Sequence, residues 1–260
     1  MSGRLAGRRA LVTGASRGIG FGIAEAYARE GADLCLAATS EERLREAKER
    51  LEPHGVRVET FALDVSDRQA CFDLVRWTTE SFGGLDILVN NAATYIPKPF
   101  LDYSFDDFLR VQQVNVHGVF HLMQAAIAHM RERGYGKVVN IASTAGKWGS
   151  RNQSAYNVAK HGVVALTRCV ALEMAPYGIT VNAICPGLVQ TDLLGQFLAD
   201  HAEISGTTPD AVHTDLLARV PQQRFLEVSE CGHLAVYLAS AESDGMTGQS
   251  ILLDGGMLSV

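Results

Sequence analysis

Short apolar segments alternate with longer helical patterns along most of the chain. The apolar segments have the length and the β-branched content of buried strands, and they are Ala10–Val12, Leu34–Leu36, Val56–Phe61, Ile87–Val89, Val138–Ile141, Thr180–Ile184 and Ser250–Leu253. The intervening helical patterns cover Gly18–Glu30, Glu41–Glu52, Asp67–Phe82, Phe105–Arg133, Ala155–Tyr177 and Ser229–Ala239. Strands that alternate with helices in this way indicate repeated βαβ units. The pattern therefore predicts an α/β fold built on a parallel sheet.

One segment, residues 192–226, departs from this alternation. It follows Pro186-Gly187 and mixes glycine and proline with scattered apolar side chains such as Phe197 and Leu216. A long insertion beside the carboxyl ends of parallel strands is typical of a lid over a binding site. A disordered loop is the alternative, but the apolar residues favour a lid. We therefore expect residues 1–260 to form one domain with a lid at about 192–226.

Composition narrows the class of protein. The 260 residues carry 29 acidic and 23 basic side chains, a formal charge of −6, with no long basic run, which argues against nucleic acid as a partner. The five cysteines are scattered without CxxC spacing, which indicates a reducing compartment. The sequence has no apolar signal core, nor an uncharged apolar stretch of about 18 residues that could span a membrane. We expect a cytoplasmic protein with no membrane partner.

A glycine-rich turn follows the first predicted strand. It reads Thr13-Gly14-Ala15-Ser16-Arg17-Gly18-Ile19-Gly20 and leads directly into a helical pattern. Glycines allow a tight turn and a close backbone approach to a pyrophosphate, whose charge is stabilised at the helix N-terminus. An ordinary strand–helix turn is the alternative, although the position after strand one favours a dinucleotide. The P-loop lysine is missing, so a triphosphate-hydrolysing site fits poorly.

The end of the second strand distinguishes NADP from NAD. A carboxylate there would bond a free ribose 2′-hydroxyl, but this chain reads Ala37-Ala38-Thr39-Ser40. Thr39 and Ser40 can donate hydrogen bonds to a 2′-phosphate and Arg17 can supply charge, so NADP(H) is favoured and NAD(H) stays open. Further cofactor contacts are expected at Asp64-Val65, after the third strand, and at Asn91-Ala92, after the fourth.

The chemistry is indicated by Ser143, Tyr156 and Lys160. Positions i and i+4 share one face of a helix, so Tyr156 and Lys160 should project together. A phenol with a pKa near 10 is a poor proton donor and acceptor at neutral pH unless a cation stabilises the phenolate. We expect the Lys160 ammonium to be the cation that stabilises the phenolate. We expect Ser143, after strand five, to hold the substrate oxygen. A surface tyrosine–lysine pair is the alternative reading.

These residues and motifs resemble the short-chain dehydrogenase/reductase family over nearly the whole chain. The resemblance implies a Rossmann-type, doubly wound, seven-stranded parallel sheet with helices on both faces. It also implies a catalytic tetrad of Asn115, Ser143, Tyr156 and Lys160, with Tyr156 as acid and base and with Tyr156 and Lys160 also contacting the cofactor. Pro186, Gly187, Val189 and Thr191 would complete the cofactor site. Ala93 stands where the family commonly has glycine, and homodimers or homotetramers are the expected assemblies.

Within the family, the chain resembles 3-oxoacyl-carrier-protein and polyketide ketoreductases, and also 3-hydroxybutyrate dehydrogenases. The positions that would grip a small carboxylate in the latter are Tyr95, Ala145 and Gln153, which weakens that alternative. Tyr95 and Trp148, with Ser143 and Tyr156, are the expected substrate contacts, although Tyr95 and Trp148 could equally be packing residues. The substrate would be a small carbonyl or alcohol, free or bound to an acyl carrier protein.

Other functional classes remain as alternatives to an NADP(H)-dependent reductase. They are an NAD-dependent dehydrogenase of hydroxy compounds, a cofactor-binding sensor without chemistry, and a Rossmann-type methyltransferase. The intact tetrad argues against the last two. His117 and His121 have a spacing that can bind zinc, but no third ligand is apparent, so no metal is expected.

Overall fold

The computed structural model describes residues 3–259, and within that range seven strands form one fully parallel sheet in the order β3-β2-β1-β4-β5-β6-β7. The strands are β1 Arg9–Thr13, β2 Asp33–Ala38, β3 Val58–Ala62, β4 Ile87–Asn90, β5 Gly136–Ile141, β6 Ile179–Pro186 and β7 Ser250–Leu253. Each predicted strand exists, although β3 begins two residues later than the pattern suggested. The strand order reverses between β1 and β4, and ligands of such sheets bind outside the carboxyl ends of the strands at this point.

Helices cover both faces of the sheet. They are α1 Gly18–Arg29, α2 Glu41–Leu51, α3 Arg68–Phe82, α4 Phe105–Gln112, α5 Gly118–Arg133, α6 Ser154–Met174, α7 Asp192–Ser205, α8 Pro209–Ala218 and α9 Val228–Ala239. Several of them begin at a capping side chain; for example, the Asp67 carboxylate accepts a hydrogen bond from the Ala70 amide at the start of α3. A doubly wound Rossmann-type fold is thereby confirmed.

Alternate side chains of each central strand enter opposite halves of the core. Leu11, Leu88 and Val138 pack with apolar side chains of α3, α5 and α6 on one face. Their neighbours Val12, Val89 and Val139 pack with α1, α2 and α9 on the other. Burial on both faces explains why these strands read as continuous apolar runs rather than as alternating ones.

One predicted helix is interrupted, and the segment 192–226 proves to be helical. The helix predicted over Phe105–Arg133 is interrupted by a π-helical turn at Gln113–His117, which separates α4 from α5. A π turn inserts one residue into the helix, and such turns are frequent at functional sites. Residues 192–226 hold two helices, α7 and α8, so the segment is ordered secondary structure rather than a disordered loop.

Candidate active site

A large cleft opens along the carboxyl ends of the strands, between the sheet and the segment 192–226, with a volume of about 1280 Å³. Most of the residues singled out in the sequence line it, namely Gly14, Ser16, Arg17, Gly18, Ile19, Thr39, Asp64, Val65, Asn91, Ala92, Tyr95, Ser143, Trp148, Tyr156, Lys160, Pro186, Gly187, Val189 and Thr191. Gly20 and Asn115 do not line it. Residues that are up to 177 positions apart in the sequence therefore share one surface.

The glycine-rich turn fits a pyrophosphate at one end of this cleft. Gly14 and Gly18 have φ angles of +61° and +55°, which side chains rarely tolerate. A Cβ on Gly14 would lie 2.7 Å from Nδ2 of Asn91, whose amide donates to the Gly14 carbonyl at 3.2 Å. No side chain caps the N-terminus of α1, and no acidic residue stands in its first turn, so its amides can receive an anion.

Gly20 has a different position from the other glycines of the turn. It is buried, and a Cβ there would lie 2.3 Å from the Gly14 carbonyl oxygen. Gly20 therefore lets α1 approach the turn from behind rather than contacting a ligand in the cleft. The third glycine of such turns is expected to serve close helix–strand packing.

The end of β2 presents no carboxylate to the cleft. Ala38 and the exposed Thr39 line it, and the exposed Arg17 lines it as well. Ser40 is engaged elsewhere, since its hydroxyl accepts from the Arg43 amide at the start of α2. Thr39 and Arg17 are therefore the groups that a ribose substituent would meet here.

Asp64 also lines the cleft and is already paired. Arg110 Nη2 donates to its carboxylate at 2.8 Å, and the Ser66 hydroxyl donates at 2.8 Å. Burial raises the pKa of Asp64, but these hydrogen bonds outweigh burial, and the net pKa lies below its usual value. The carboxylate is thus ionised at neutral pH, and Arg110 is a cleft residue that the sequence analysis did not single out.

Tyr156 and Lys160 project from the same side of α6 into the cleft. Nζ of Lys160 lies 5.5 Å from the centroid of the Tyr156 ring and donates to the carbonyl oxygen of Ile141, at the end of β5, at 2.7 Å. Lys160 is almost fully buried, so its ammonium is held by the sheet rather than by solvent. The structure therefore brings together the pair predicted from the i, i+4 spacing.

Burial is the largest influence on the pKa values of Tyr156 and Lys160. It raises the pKa of Tyr156 to about 12, with a smaller opposing effect from the neighbouring Ser143 hydroxyl. It lowers the pKa of Lys160 to about 8. We expected the ammonium to lower the pKa of the phenol, and the protein alone does not do so, because desolvation penalises the phenolate more than its neighbours stabilise it. Tyr156 consequently holds its proton throughout the neutral range.

Ser143 stands directly after β5 and begins a short 3-10 helix, Thr144–Gly146. Its hydroxyl accepts from the Ala145 amide at 3.1 Å, which fixes the side chain at the edge of the cleft. The hydroxyl proton remains available for an oxygen acceptor. Ser143 and Tyr156 can therefore hold one carbonyl oxygen from two sides.

Asn115 lies in the π turn and is buried behind the cleft. Its Oδ1 accepts from the Thr94 amide at 2.7 Å, and its Nδ2 donates to the Thr94 carbonyl at 2.9 Å. Both ends of the side chain are thus bound to the loop after β4. The side chain therefore anchors the backbone that precedes Tyr95.

Aromatic side chains form the wall next to Tyr156. The Tyr95 ring meets the Tyr156 ring edge-on, with centroids 5.1 Å apart, and Phe197 of α7 lies 5.6 Å from Tyr95. His201, one turn farther along α7, also belongs to this group, and the sequence analysis did not single it out. Its Nε2 lies 2.6 Å from the Tyr95 hydroxyl. Only the fold brings together these residues, which are 106 positions apart.

Two negative findings apply to the described part of the chain. Residues 3–259 contain no group of three or more side chains arranged to hold a metal ion, and His117 and His121 lie with ring centroids 6.4 Å apart. None of the helices in that range is both long and apolar enough to cross a bilayer.

A dinucleotide-sized cleft at the switch point of a parallel sheet, with a tyrosine–lysine pair beside it, defines a class of nicotinamide-dependent oxidoreductases. The family model described as Enoyl-(Acyl carrier protein) reductase matches residues 14–258. The chain belongs to this family of short-chain dehydrogenases/reductases, and it is an enzyme that acts on CH–OH and C=O groups with a nicotinamide cofactor.

Relatives and solved structures agree on the family but differ in substrate and cofactor. An uncharacterized oxidoreductase, YxjF of Bacillus subtilis, is 40% identical over 95% of this chain and 96% of its own. A D-beta-hydroxybutyrate dehydrogenase of Rhizobium meliloti is 35% identical over 96% and 98%. NAD+-bound xylitol dehydrogenase superposes with a TM-score of 0.94 at 33% identity, covering 97% of this chain and 99% of the other. A variant of actinorhodin polyketide ketoreductase with NADPH gives 0.93 at 34% identity, covering 99% of both chains.

Proposed function

We propose that the protein is an NADP(H)-dependent carbonyl reductase or alcohol dehydrogenase of small keto and hydroxy compounds. The observation that carries the proposal is the shared position of Tyr156 and Lys160 in the cleft that also contains the Gly14 turn. Neither a sensor nor a methyltransferase needs a buried ammonium beside a phenol at this place.

The bound nicotinamide supplies or accepts the hydride. In the direction of reduction, the Tyr156 hydroxyl donates its proton to the carbonyl oxygen as the carbon gains the hydride, so a C–H and an O–H bond form together. Ser143 donates a hydrogen bond to the same oxygen and fixes its distance from the hydride. The high pKa of Tyr156 keeps the proton on the phenol until the carbonyl oxygen becomes basic.

Lys160 and Asn115 support this transfer without contacting the reacting carbon. The Lys160 ammonium stabilises the phenolate that remains after the transfer, and it is suited to hold the hydroxyls of the nicotinamide ribose. Asn115 positions the loop after β4 through Thr94. Proton exchange with solvent then restores Tyr156.

The preference for NADP(H) is supported by the absence of a carboxylate at the end of β2 and by the exposed Thr39 and Arg17 there. Relatives of known structure include both an NAD+-bound and an NADPH-bound enzyme, so an NAD-dependent dehydrogenase is the second candidate. For the substrate, a ketoreductase of polyketide or 3-oxoacyl type is favoured over a hydroxybutyrate dehydrogenase. Tyr95, Ala145 and Gln153 offer no cation to a small carboxylate.

We further propose that residues 1–260 act as one catalytic domain whose segment 192–226 is the substrate lid. A homodimer or homotetramer would cover exposed apolar side chains of α5 and α6 such as Phe120, Val158 and Leu172. The free cysteines are consistent with a protein that functions in the cytoplasm.

The experiment is a panel of ketones, diketones and acyl thioesters incubated with NADPH or NADH deuterated at C4. We expect deuterium on the carbinol carbon of at least one product, with NADPH the better donor. Products without deuterium, or no turnover with either nicotinamide, would reject the proposed reaction.

A further inference from the structure

Helix α7 is hydrogen-bonded to the rest of the cleft through the side chain of His201. The Tyr95 hydroxyl lies 2.6 Å from Nε2 of His201, and the Gln153 amide nitrogen lies 3.5 Å from the same atom. Within residues 3–259, no other side chain of α7 or α8 hydrogen-bonds to a residue outside 192–226. His201 is therefore the hydrogen-bonding side chain that joins α7 to this side of the cleft.

The two contacts define the state of the imidazole. The phenol can donate to Nε2 and the carboxamide NH₂ can only donate, so both contacts fit a neutral ring whose Nε2 is the acceptor. Burial lowers the pKa of His201 below its usual value, which favours the neutral ring at physiological pH. Tyr95 and His201 thus form a neutral hydrogen bond on an aromatic wall.

The wall is formed by the aromatic rings of Tyr95, Phe197 and His201. The rings of Phe197 and His201 lie 31° and 21° from the plane of the Tyr95 ring, so three roughly aligned rings line the cleft, and Tyr95 is the one that contacts Tyr156. Planar groups stack on such rings with centroids about 4.5–7 Å apart. None of the three rings carries a charge to pair with an anionic substrate.

We propose that His201, acting through Tyr95, is a positioning residue that fixes this aromatic wall beside Tyr156 and thereby selects neutral, flat, ring-containing carbonyl compounds or their alcohols. The inference rests on the proposed function, since it assigns a substrate class to the same site. Tyr95 touches the substrate, whereas His201 holds Tyr95 and α7 in place.

The test compares His201→Phe, Tyr95→Phe and the double variant with the wild type. Phenylalanine keeps the ring at each position but removes the hydrogen bond. His201→Gln is the conservative variant, since its amide oxygen can accept from Tyr95. His213→Phe is the matched control, because this α8 histidine packs on Phe225 and does not line the cleft.

The steady-state readout uses an aromatic or cyclic ketone and an acyclic 3-oxo acid, each with NADPH. A neutral hydrogen bond corresponds to a factor of about two to ten, so we expect KM for the ring ketone to rise about fivefold in either single Phe variant, with kcat within about twofold. KM for the ring ketone in the double variant should be no higher than in the single Phe variants. His201→Gln should restore the wild-type KM. The control should match the wild type.

Hydrogen exchange on the α7 amides supplies a readout that does not depend on turnover. Exchange should accelerate about fivefold in Tyr95→Phe and His201→Phe but not in His213→Phe. If the wild type reduces ring ketones no better than the acyclic acid, or if the Phe variants lower kcat for both substrates alike, the inference is overturned while the proposed function stands. If no carbonyl compound is turned over, the proposed function fails. Separately, unchanged α7 exchange in the Phe variants would overturn the role of His201 in holding α7 in place.

Discussion

Replacing Thr39 with aspartate should convert the cofactor preference from NADP(H) to NAD(H). Thr39 is exposed, so interactions there are screened as in water, where unit charges about 4 Å apart interact by about 1 kcal/mol. A 2′-phosphate carries nearly two negative charges, so the new carboxylate costs about 2 kcal/mol. Loss of the threonine hydrogen bond adds about 1 kcal/mol. Together these effects predict about 100-fold weaker NADPH binding.

The same carboxylate should improve NADH binding about tenfold, because it can accept a hydrogen bond from the free ribose 2′-hydroxyl. The assay is the ratio of kcat/KM for the two nicotinamides, together with their dissociation constants from fluorescence titration. Thr214→Asp is the control, since it makes the same change on α8 outside the cleft. A ratio that shifts less than about tenfold in Thr39→Asp would refute the assignment of this wall to the 2′-phosphate.

Two further changes test the glycine turn and the buried lysine. Gly14→Ala should weaken cofactor binding by more than about tenfold and lower the melting temperature, because its φ is +61° and the new Cβ would lie 2.7 Å from Nδ2 of Asn91; unchanged titration curves would contradict this geometry. Lys160→Met should abolish turnover yet stabilise the fold, because the fall of the lysine pKa from 10.5 to about 8 disfavours the buried ammonium by about 3 kcal/mol at neutral pH. Since the unfolded chain holds this proton more tightly, the unfolding free energy of the wild type should rise between about pH 8 and 10.5, and urea titrations of Lys160→Met should lack that rise.

The sequence was most informative where local pattern decides the structure. Buried strands need continuous apolar runs, a tight phosphate-binding turn needs glycine, and two side chains four residues apart share a helix face. Each of these rules operates over a few residues, so the sheet, the Gly14 turn and the pairing of Tyr156 with Lys160 were predictable.

Long-range and context-dependent features were not predictable in this way. A π turn inserts a residue into α4–α5 without a compositional signature, and so the two hydrogen bonds between the Asn115 side chain and the Thr94 backbone were missed. The helices of residues 192–226 have little fully buried surface, since Ala202 is the one such residue assigned to α7, and their periodicity is correspondingly weak. His201 meets Tyr95 only through the fold, and the high pKa of Tyr156 follows from burial, which local spacing does not report.

The central claim is that the Tyr156 hydroxyl transfers the proton while cofactor binding depends on other groups. The direct measurement is a single-turnover experiment in which enzyme saturated with NADPH is mixed with a ketone substrate and the absorbance of the reduced nicotinamide is followed. For Tyr156→Phe we expect NADPH affinity within about twofold of the wild type and a loss of at least about 1000-fold in the rate of nicotinamide oxidation. A phenylalanine variant that oxidises NADPH at a rate close to that of the wild type would contradict the account.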